Sequence, residues 1–297
     1  MPEKDPRLRT SVRENYQTQV RRVLLQVLGL NLTVVVGKLV IGWKARSLSI
    51  LSDAAHSSVD SLNNIVGLII IRYATAAPDT GHPYGHRKIE SLAAFALGGL
   101  LLFTCFEIAA SAIRRLFNPE MIRVQVSHLT LVVMIATIVI NVIVYLYERQ
   151  RGRQLGSSFL LADSLHTRTD ILVSSSLVGG LFFIRLGMPT LDPLFALAIS
   201  GLIAYGGWQI FTESVPVLVD ASMVRPEIIE EIVRQVPGVS SVHDIRSRSD
   251  GEKLFIELRV LVDHYDLRRA HQVTEEIEHR LMDKLGHCQI TIHVEPV

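Results

Sequence analysis

The sequence predicts an α-helical membrane domain of six transmembrane helices, followed by a small cytoplasmic α/β domain. Two observations carry this. Apolar residues make up 48% of the chain and charged ones only 20%, and the charged minority collects at the N-terminus, in short loops and in everything after about residue 220. Between these lie six apolar runs, at about 22–43, 48–73, 90–113, 125–147, 158–185 and 191–214. Each is close to the roughly 20 residues that a helix needs to span a bilayer. Stretches such as "LAAFALGGLLLF" and "LTLVVMIATIVINVIVYLY" show no amphipathic stripe, which excludes the ordinary surface helix of a soluble protein.

In chain order, the segment "MPEKDPRLRTSVRENYQTQVRR" is polar and lacks the apolar core of a signal peptide. Its basic residues favour the cytoplasmic side, and so does the basic loop "ERQRGRQLG" (Glu148 to Gly156). The loop around Arg114, Arg115 and Arg123 points the other way. Six spans bring the C-terminus back to the cytoplasm, giving a cytoplasmic N-terminal segment (1–21), a six-helix transmembrane domain (22–214) and a cytoplasmic C-terminal domain (215–297). In that last domain "RPEIIEEIVRQV" and "LRRAHQVTEEIEHRLMDKL" read as amphipathic helices. "KLFIELRVLV" and "QITIHVEPV" alternate as strands, with Ile256, Leu258 and Val260, then Ile290, Ile292 and Val294, on the inner faces. With a strand at "VSSVHDIRSRS" the order is α-β-β-α-β, an open-faced sandwich with helices on one side of a sheet. A net charge of +1 gives no reason to expect a nucleic-acid partner, and two separated cysteines, Cys105 and Cys288, imply no disulfide framework.

The second and fifth runs are not uniformly apolar. "LSDAAHSSVD" (Leu51 to Asp60) and "LADSLHTRTD" (Leu161 to Asp170) carry Asp, His and Asp at identical offsets. Ionisable groups at bilayer depth cost on the order of 3 kcal/mol each by insertion scales and mark function by default. His56 and Asp60 are i, i+4 on one helix face, as are His166 and Asp170; Asp53 and Asp163 stand one turn earlier. At 1.5 Å per residue, His56 and His166 lie about 14 Å into their spans. The two spans run in opposite directions, so both pairs fall near the midplane. Touching helices would set Asp60 level with His166 and His56 level with Asp170. Two imidazoles and two carboxylates suit tetrahedral Zn²⁺, with Co²⁺, Cd²⁺ and Fe²⁺ also compatible. The bland alternative is that each pair is only a helix-packing hydrogen bond.

At these residues the chain resembles the cation diffusion facilitator family of divalent-metal/proton antiporters, over nearly its whole length. The paired H-x-x-x-D motifs are similar to those of the family's bacterial zinc exporters. The resemblance implies a ferredoxin-like (metallochaperone-like) fold for the C-terminal domain and a homodimer. It implies a second metal site in the loop "APDTGHPYGHRKIE", at Asp79, His82 and His86, whose residues also suit an ordinary solvated turn. It further implies a regulatory zinc site in the cytoplasmic domain at His243, His271, His293 and Glu295, and a Lys88–Asp220 charged pair linking bundle and domain. Arg259 stands where the family's zinc members have another His. An Arg cannot ligate a metal, which leaves one ion, two or none at that site. His128, His264, His279 and His287 read as solvated or structural.

The expectation is a secondary transporter that exports Zn²⁺ in exchange for protons across the bacterial inner (plasma) membrane, by alternating access about the midplane site. The alternatives are an exporter of another divalent ion (Fe²⁺, Mn²⁺ or Cd²⁺) and a metal channel. A channel needs a continuous polar lining, and the third and fourth spans offer little beyond Glu107 and Asn141. An enzyme is not expected: no H-E-x-x-H motif is present, and four protein ligands leave no open position on the metal.

Overall fold

The structure is a computed structural model and describes residues 6–117, 128–185, 191–263, 266–286 and 288–297, without the side chains of 6–14, 48, 49, 52, 56 and 181–185. His264, His287 and Arg123 therefore lie outside the described residues. The chain divides into two compact units, Met1–Thr212 and Glu213–Val297.

The first unit is built from long helices: α1 (Pro6–Lys44), α2 (Leu48–Ala74), α3 (Lys88–Phe117), α4 (His128–Leu155), α5 (Ser158–Arg185) and α6 (Leu191–Leu218). Four of them, α1, α3, α4 and α6, are long and apolar enough among the described residues to cross a membrane. They carry outward apolar side chains such as Val132, Phe103, Phe106 and Trp208, a surface that water would not tolerate but lipid does. Where α3 meets α6, a side chain on Gly98 would press on Ile210 at 3.0 Å, and one on Gly207 on Leu102 at 2.9 Å. Small residues permit this approach, as is usual between helices in lipid.

Two helices run further than the sequence suggests. α1 starts at Pro6, because the polar segment has its proline in the first turn, where a missing N–H costs nothing, and no glycine to break it. The expected loop at Glu148 to Gly156 is instead the last two turns of α4, which ends at Leu155. Glu, Arg and Gln are good helix formers, and the stop is Gly156, in the left-handed region at φ 64°.

The start of α5 is fixed by Glu90 of α3, itself 3% exposed. Its carboxylate accepts hydrogen bonds from the Ser157 hydroxyl at 2.5 Å and the Phe159 amide at 3.2 Å. The Tyr16 hydroxyl donates to it at 2.9 Å, and Arg87 approaches at 3.4 Å. An anion at a helix N-terminus meets unpaired amides and the positive end of the helix dipole. One residue thus ties α1, α3 and α5 together.

The second unit contains α7 (Pro226–Arg234), β1 (Val239–Ser249), β2 (Leu254–Val262), α8 (Leu267–Leu285) and β3 (Cys288–Pro296), the α-β-β-α-β order expected. The sheet order is β1-β2-β3, with β1 antiparallel and β3 parallel to the central β2. Both helices pack on one face: Ile229 and Val233 of α7 and Val273, Ile277 and Leu281 of α8 share a core with Val242, Ile256, Leu258 and Val260. The opposite face carries Glu257, Arg259, Thr291 and His293, all exposed.

Candidate metal site

The helices bearing the two D-x-x-H-x-x-x-D motifs begin in the same way. At the α1–α2 turn the Ser47 amide donates to the Gly42 carbonyl at 3.0 Å, and at the α4–α5 turn the Ser157 amide donates to the Gly152 carbonyl, also at 3.0 Å. Each serine then caps its helix, Ser47 Oγ accepting from the Ile50 amide (3.4 Å) and Ser157 Oγ from the Leu160 amide (3.2 Å). The repeat therefore extends from Gly42 to Asp60 and from Gly152 to Asp170, beyond the ten-residue match seen in the sequence. Equal spacing from equivalent caps sets the two motifs equally far along their helices.

The Asp60, His166 and Asp170 side chains converge, their ligand atoms all within 4.8 Å of one another. His166 Nε2 lies 3.7 Å from Asp60 Oδ1 and 3.9 Å from Asp170 Oδ2. Tetrahedral ligands at about 2.1 Å from Zn²⁺ stand about 3.4 Å apart, so each His166–carboxylate distance is within a few tenths of an ångström of that spacing. All three side chains are largely buried, and Asp60 Oδ1 has no hydrogen-bond partner. The Asn63 amide nitrogen lies 3.3 Å from His166 Nε2. Two carboxylates and one imidazole thus face one point, a donor set that suits a divalent cation. His56 occupies its expected place in α2, but its side chain lies outside the described residues.

A second polar layer adjoins the ligands. Asn31 donates to Asn64 Oδ1 (2.9 Å), Asn64 donates to Asp163 Oδ2 (3.2 Å), and Thr167 donates to Glu148 Oε2 (3.0 Å). Glu148 is wholly buried, with Oε1 unpartnered. Sequence reasoning missed Glu148, having assigned it to a loop, and missed Asn64 and Lys38. Lys38 carried a readable signal, as a lone charge inside an apolar run.

In the connection from α2 to α3, Asp79, His82 and His86 form a second group with ligand atoms within 4.8 Å of one another. Asp79 Oδ1 lies 3.2 Å from His82 Nδ1, and Asp79 Oδ2 lies 3.4 Å from His86 Nε2. The backbone amides of His82 and Gly81 donate to Asp79 Oδ1 at 2.6 and 2.9 Å. Chiefly through the His82 amide, they hold the Asp79 carboxyl below the usual carboxylate range. This is the hydrogen bonding of an Asx turn, so the turn and a metal site share one geometry.

Residues 24–219 match the cation efflux transmembrane domain and residues 224–297 the cation efflux protein cytoplasmic domain. The chain belongs to the cation diffusion facilitator, or cation efflux, family. It is similar to an uncharacterized transporter of Methanocaldococcus jannaschii, 30% identical over 278 residues, 93% of this chain and 97% of the relative. The cation-efflux pump FieF of Cronobacter sakazakii is 28% identical over 285 residues, covering 95% and 94%. Metal tolerance protein C1 of Arabidopsis thaliana is 32% identical over 280 residues, 88% of this chain and 59% of the relative. This cation diffusion facilitator is thus a transporter of divalent metals and not an enzyme.

The transporter's cytoplasmic domain departs from a metal site in a specific way. Strand register aligns His243 of β1, Arg259 of β2 and His293 of β3 in one row. The Arg259 guanidinium lies at the centre of that row, 3.2 Å from Glu295 Oε1 and 3.3 Å from Asp244 Oδ2. His243 and His293 approach the same Glu295 carboxylate at 3.4 and 3.6 Å. Asp244 reaches the guanidinium because β1 bulges there, with Asp244 at φ 52°. His271 is exposed on α8 and faces Glu275 of its own helix at 3.7 Å. Asp220 meets Arg248 at 3.5 Å, and His279 meets Asp283 at 3.0 Å.

Proposed function

We propose that the chain exports Zn²⁺ from the cytoplasm in exchange for protons, with Cd²⁺, Co²⁺ and Fe²⁺ as further substrates. The observation that supports this best is the convergence of Asp60, His166 and Asp170, whose ligand atoms all lie within 4.8 Å of one another. His56 completes a four-ligand set of two imidazoles and two carboxylates. Two carboxylates cancel the charge of a divalent ion, and mixed nitrogen and oxygen ligands suit zinc better than Mg²⁺ or Mn²⁺. Ligands must be deprotonated to bind, so loading metal releases protons and reprotonation expels the ion. In this reading α1 to α6 all span the membrane, with α2 and α5 carrying the site at the midplane. Residues 1–21 and 215–297 lie in the cytoplasm, the protein resides in the inner (plasma) membrane, and two copies join through their C-terminal domains. Asp79, His82 and His86 form an accessory site on the loop. His243, His293 and Glu295 share one face of the cytoplasmic sheet with Arg259, whose pairing with Glu295 leaves at most one weakly held ion per copy, while His271 stands apart on α8.

The test is metal-stimulated proton flux in vesicles reconstituted with the full chain and challenged with a panel of divalent ions. Zinc is expected to drive proton movement opposite to its own, with Mn²⁺ the weakest. Zinc flux independent of the proton gradient would point to a channel, and a ranking led by another ion would replace zinc as the substrate.

A further inference from the structure

We infer that Glu148 and Asp163 form a proton-binding pair beside the metal site, holding one proton between them while that site is empty and giving it up when a divalent cation binds. The inference deepens the proton-exchange reading above and rests on it. Glu148 of α4 is wholly buried, and Asp163 of α5 is 3% exposed. The Thr167 hydroxyl joins the two helices, donating to Glu148 Oε2 at 3.0 Å and to the Asp163 carbonyl at 3.2 Å. Asp163 Oδ2 accepts from the Asn64 amide at 3.2 Å. Glu148 Oε1 has no amide or hydroxyl donor. The two carboxyl groups instead hydrogen-bond to one another. Ionised carboxylates are acceptors only, so such a bond exists only where one of the two carries a proton.

No basic side chain takes that proton's place. The charged and titratable groups that act on the pair are His166 and Asp170 of α5 and Asp60 of α2. Lys38 of α1 is engaged by Asp53 and Ser57, at 2.8 and 2.9 Å, and Arg149, Arg151 and Arg153 of α4 are exposed. The repeat is thus asymmetric: Asp53, the counterpart of Asp163, is paired with an ammonium, whereas Asp163 is paired with a carboxyl group. Asp163 also lines one small polar cavity with Asp60, His166 and Asp170. A divalent ion held there sets two positive charges close to the pair, where screening is weak. Positive charge nearby favours carboxyl groups in their ionised form, so the shared proton leaves. Glu148 precedes the exposed arginines that favour the cytoplasmic side. Zinc loaded from the cytoplasm would return this proton to the cytoplasm, the direction that exchange requires.

The experiment counts the protons released when Zn²⁺ binds the purified full-length protein, by calorimetry in buffers of different ionisation enthalpy. In Glu148→Gln and in Asp163→Asn an amide N–H that cannot leave replaces the shared proton. Each variant is expected to bind zinc and to release about one proton fewer per ion than the wild type, with a correspondingly shallower dependence of zinc affinity on pH. A purely structural pair would lower zinc affinity at an unchanged proton count. An unchanged count in either variant overturns the proposal. Loss of zinc binding from both variants overturns it too, because the pair would then belong to the metal site or to the fold. Wild-type protein that binds zinc without releasing protons overturns the exchange reading and this inference together. Release by the wild type that persists undiminished in Glu148→Gln overturns this inference alone.

Discussion

Asp60→Ala is expected to reduce metal transport to background while leaving the protein in the membrane at near wild-type amounts. The two halves of that outcome have separate causes. Asp60 Oδ1 is buried without a hydrogen-bond partner, so the side chain contributes little to the resting fold, and an unpaired carboxylate there is a cost. Removing it relieves strain in the empty state. For the ion the change is severe. A divalent cation held by Asp60 and Asp170 is neutralised, whereas with Asp170 alone it keeps a net positive charge in a medium where screening is weak. The remaining imidazoles supply lone pairs but no charge. Flux of Zn²⁺ into vesicles, normalised to protein in the membrane by immunoblot, measures both halves. Normal flux from this variant would put the ion path elsewhere. Loss of protein from the membrane would show that Asp60 supports the fold after all.

The residues that carry this prediction were readable because helix geometry is local. The i, i+4 spacing of His166 and Asp170, and the duplicated motif, fix which side chains share a face without knowledge of packing. The level pairing of Asp60 with His166 was expected from equal spacing along the two helices, and the two side chains approach to 3.7 Å. What spacing could not give is which faces meet. Lys38 with Asp53, Asn64 with Asp163 and Thr167 with Glu148 are contacts between helices, decided by how α1, α2, α4 and α5 pack. Glu148 was hidden for a second reason. Its neighbours Arg149, Arg151 and Arg153 are the charges of a loop by composition, but they are also good helix formers, and α4 continues through them until Gly156. In the cytoplasmic domain period-2 alternation identified the inner and outer faces of β2 and β3. The bulge that carries Asp244 to Arg259 depends on one residue at positive φ, which no hydropathy pattern records.

Arg259→His is expected to give the cytoplasmic domain a strong zinc response that the wild-type domain lacks. The domain has its own core and forms a separate compact unit, so the fragment from Met223 to Val297 is a fair object for the measurement. In the wild type the guanidinium takes the place an ion would take. It is paired with Glu295 and Asp244, it stands between His243 and His293 in the strand register, and its charge is permanent. A divalent ion would have to displace it and then sit beside it, so zinc is expected to shift the melting temperature of the wild-type fragment only slightly. Histidine at 259 removes the charge, frees Glu295 and adds a ligand to the row. At zinc about a hundredfold above its dissociation constant, linkage contributes about 2.7 kcal/mol, a rise of roughly 10–20 °C in a domain of this size. Adding His293→Ala should remove most of that rise. If the wild-type fragment already responds as strongly as Arg259→His, the guanidinium does not occupy the site in solution. If Arg259→His does not respond, the row of side chains is not a metal site even when the arginine is gone. The expected outcome would mean that this transporter's cytoplasmic domain has a fixed internal cation where zinc would otherwise be sensed, so its assembly does not wait on the metal that the membrane domain exports.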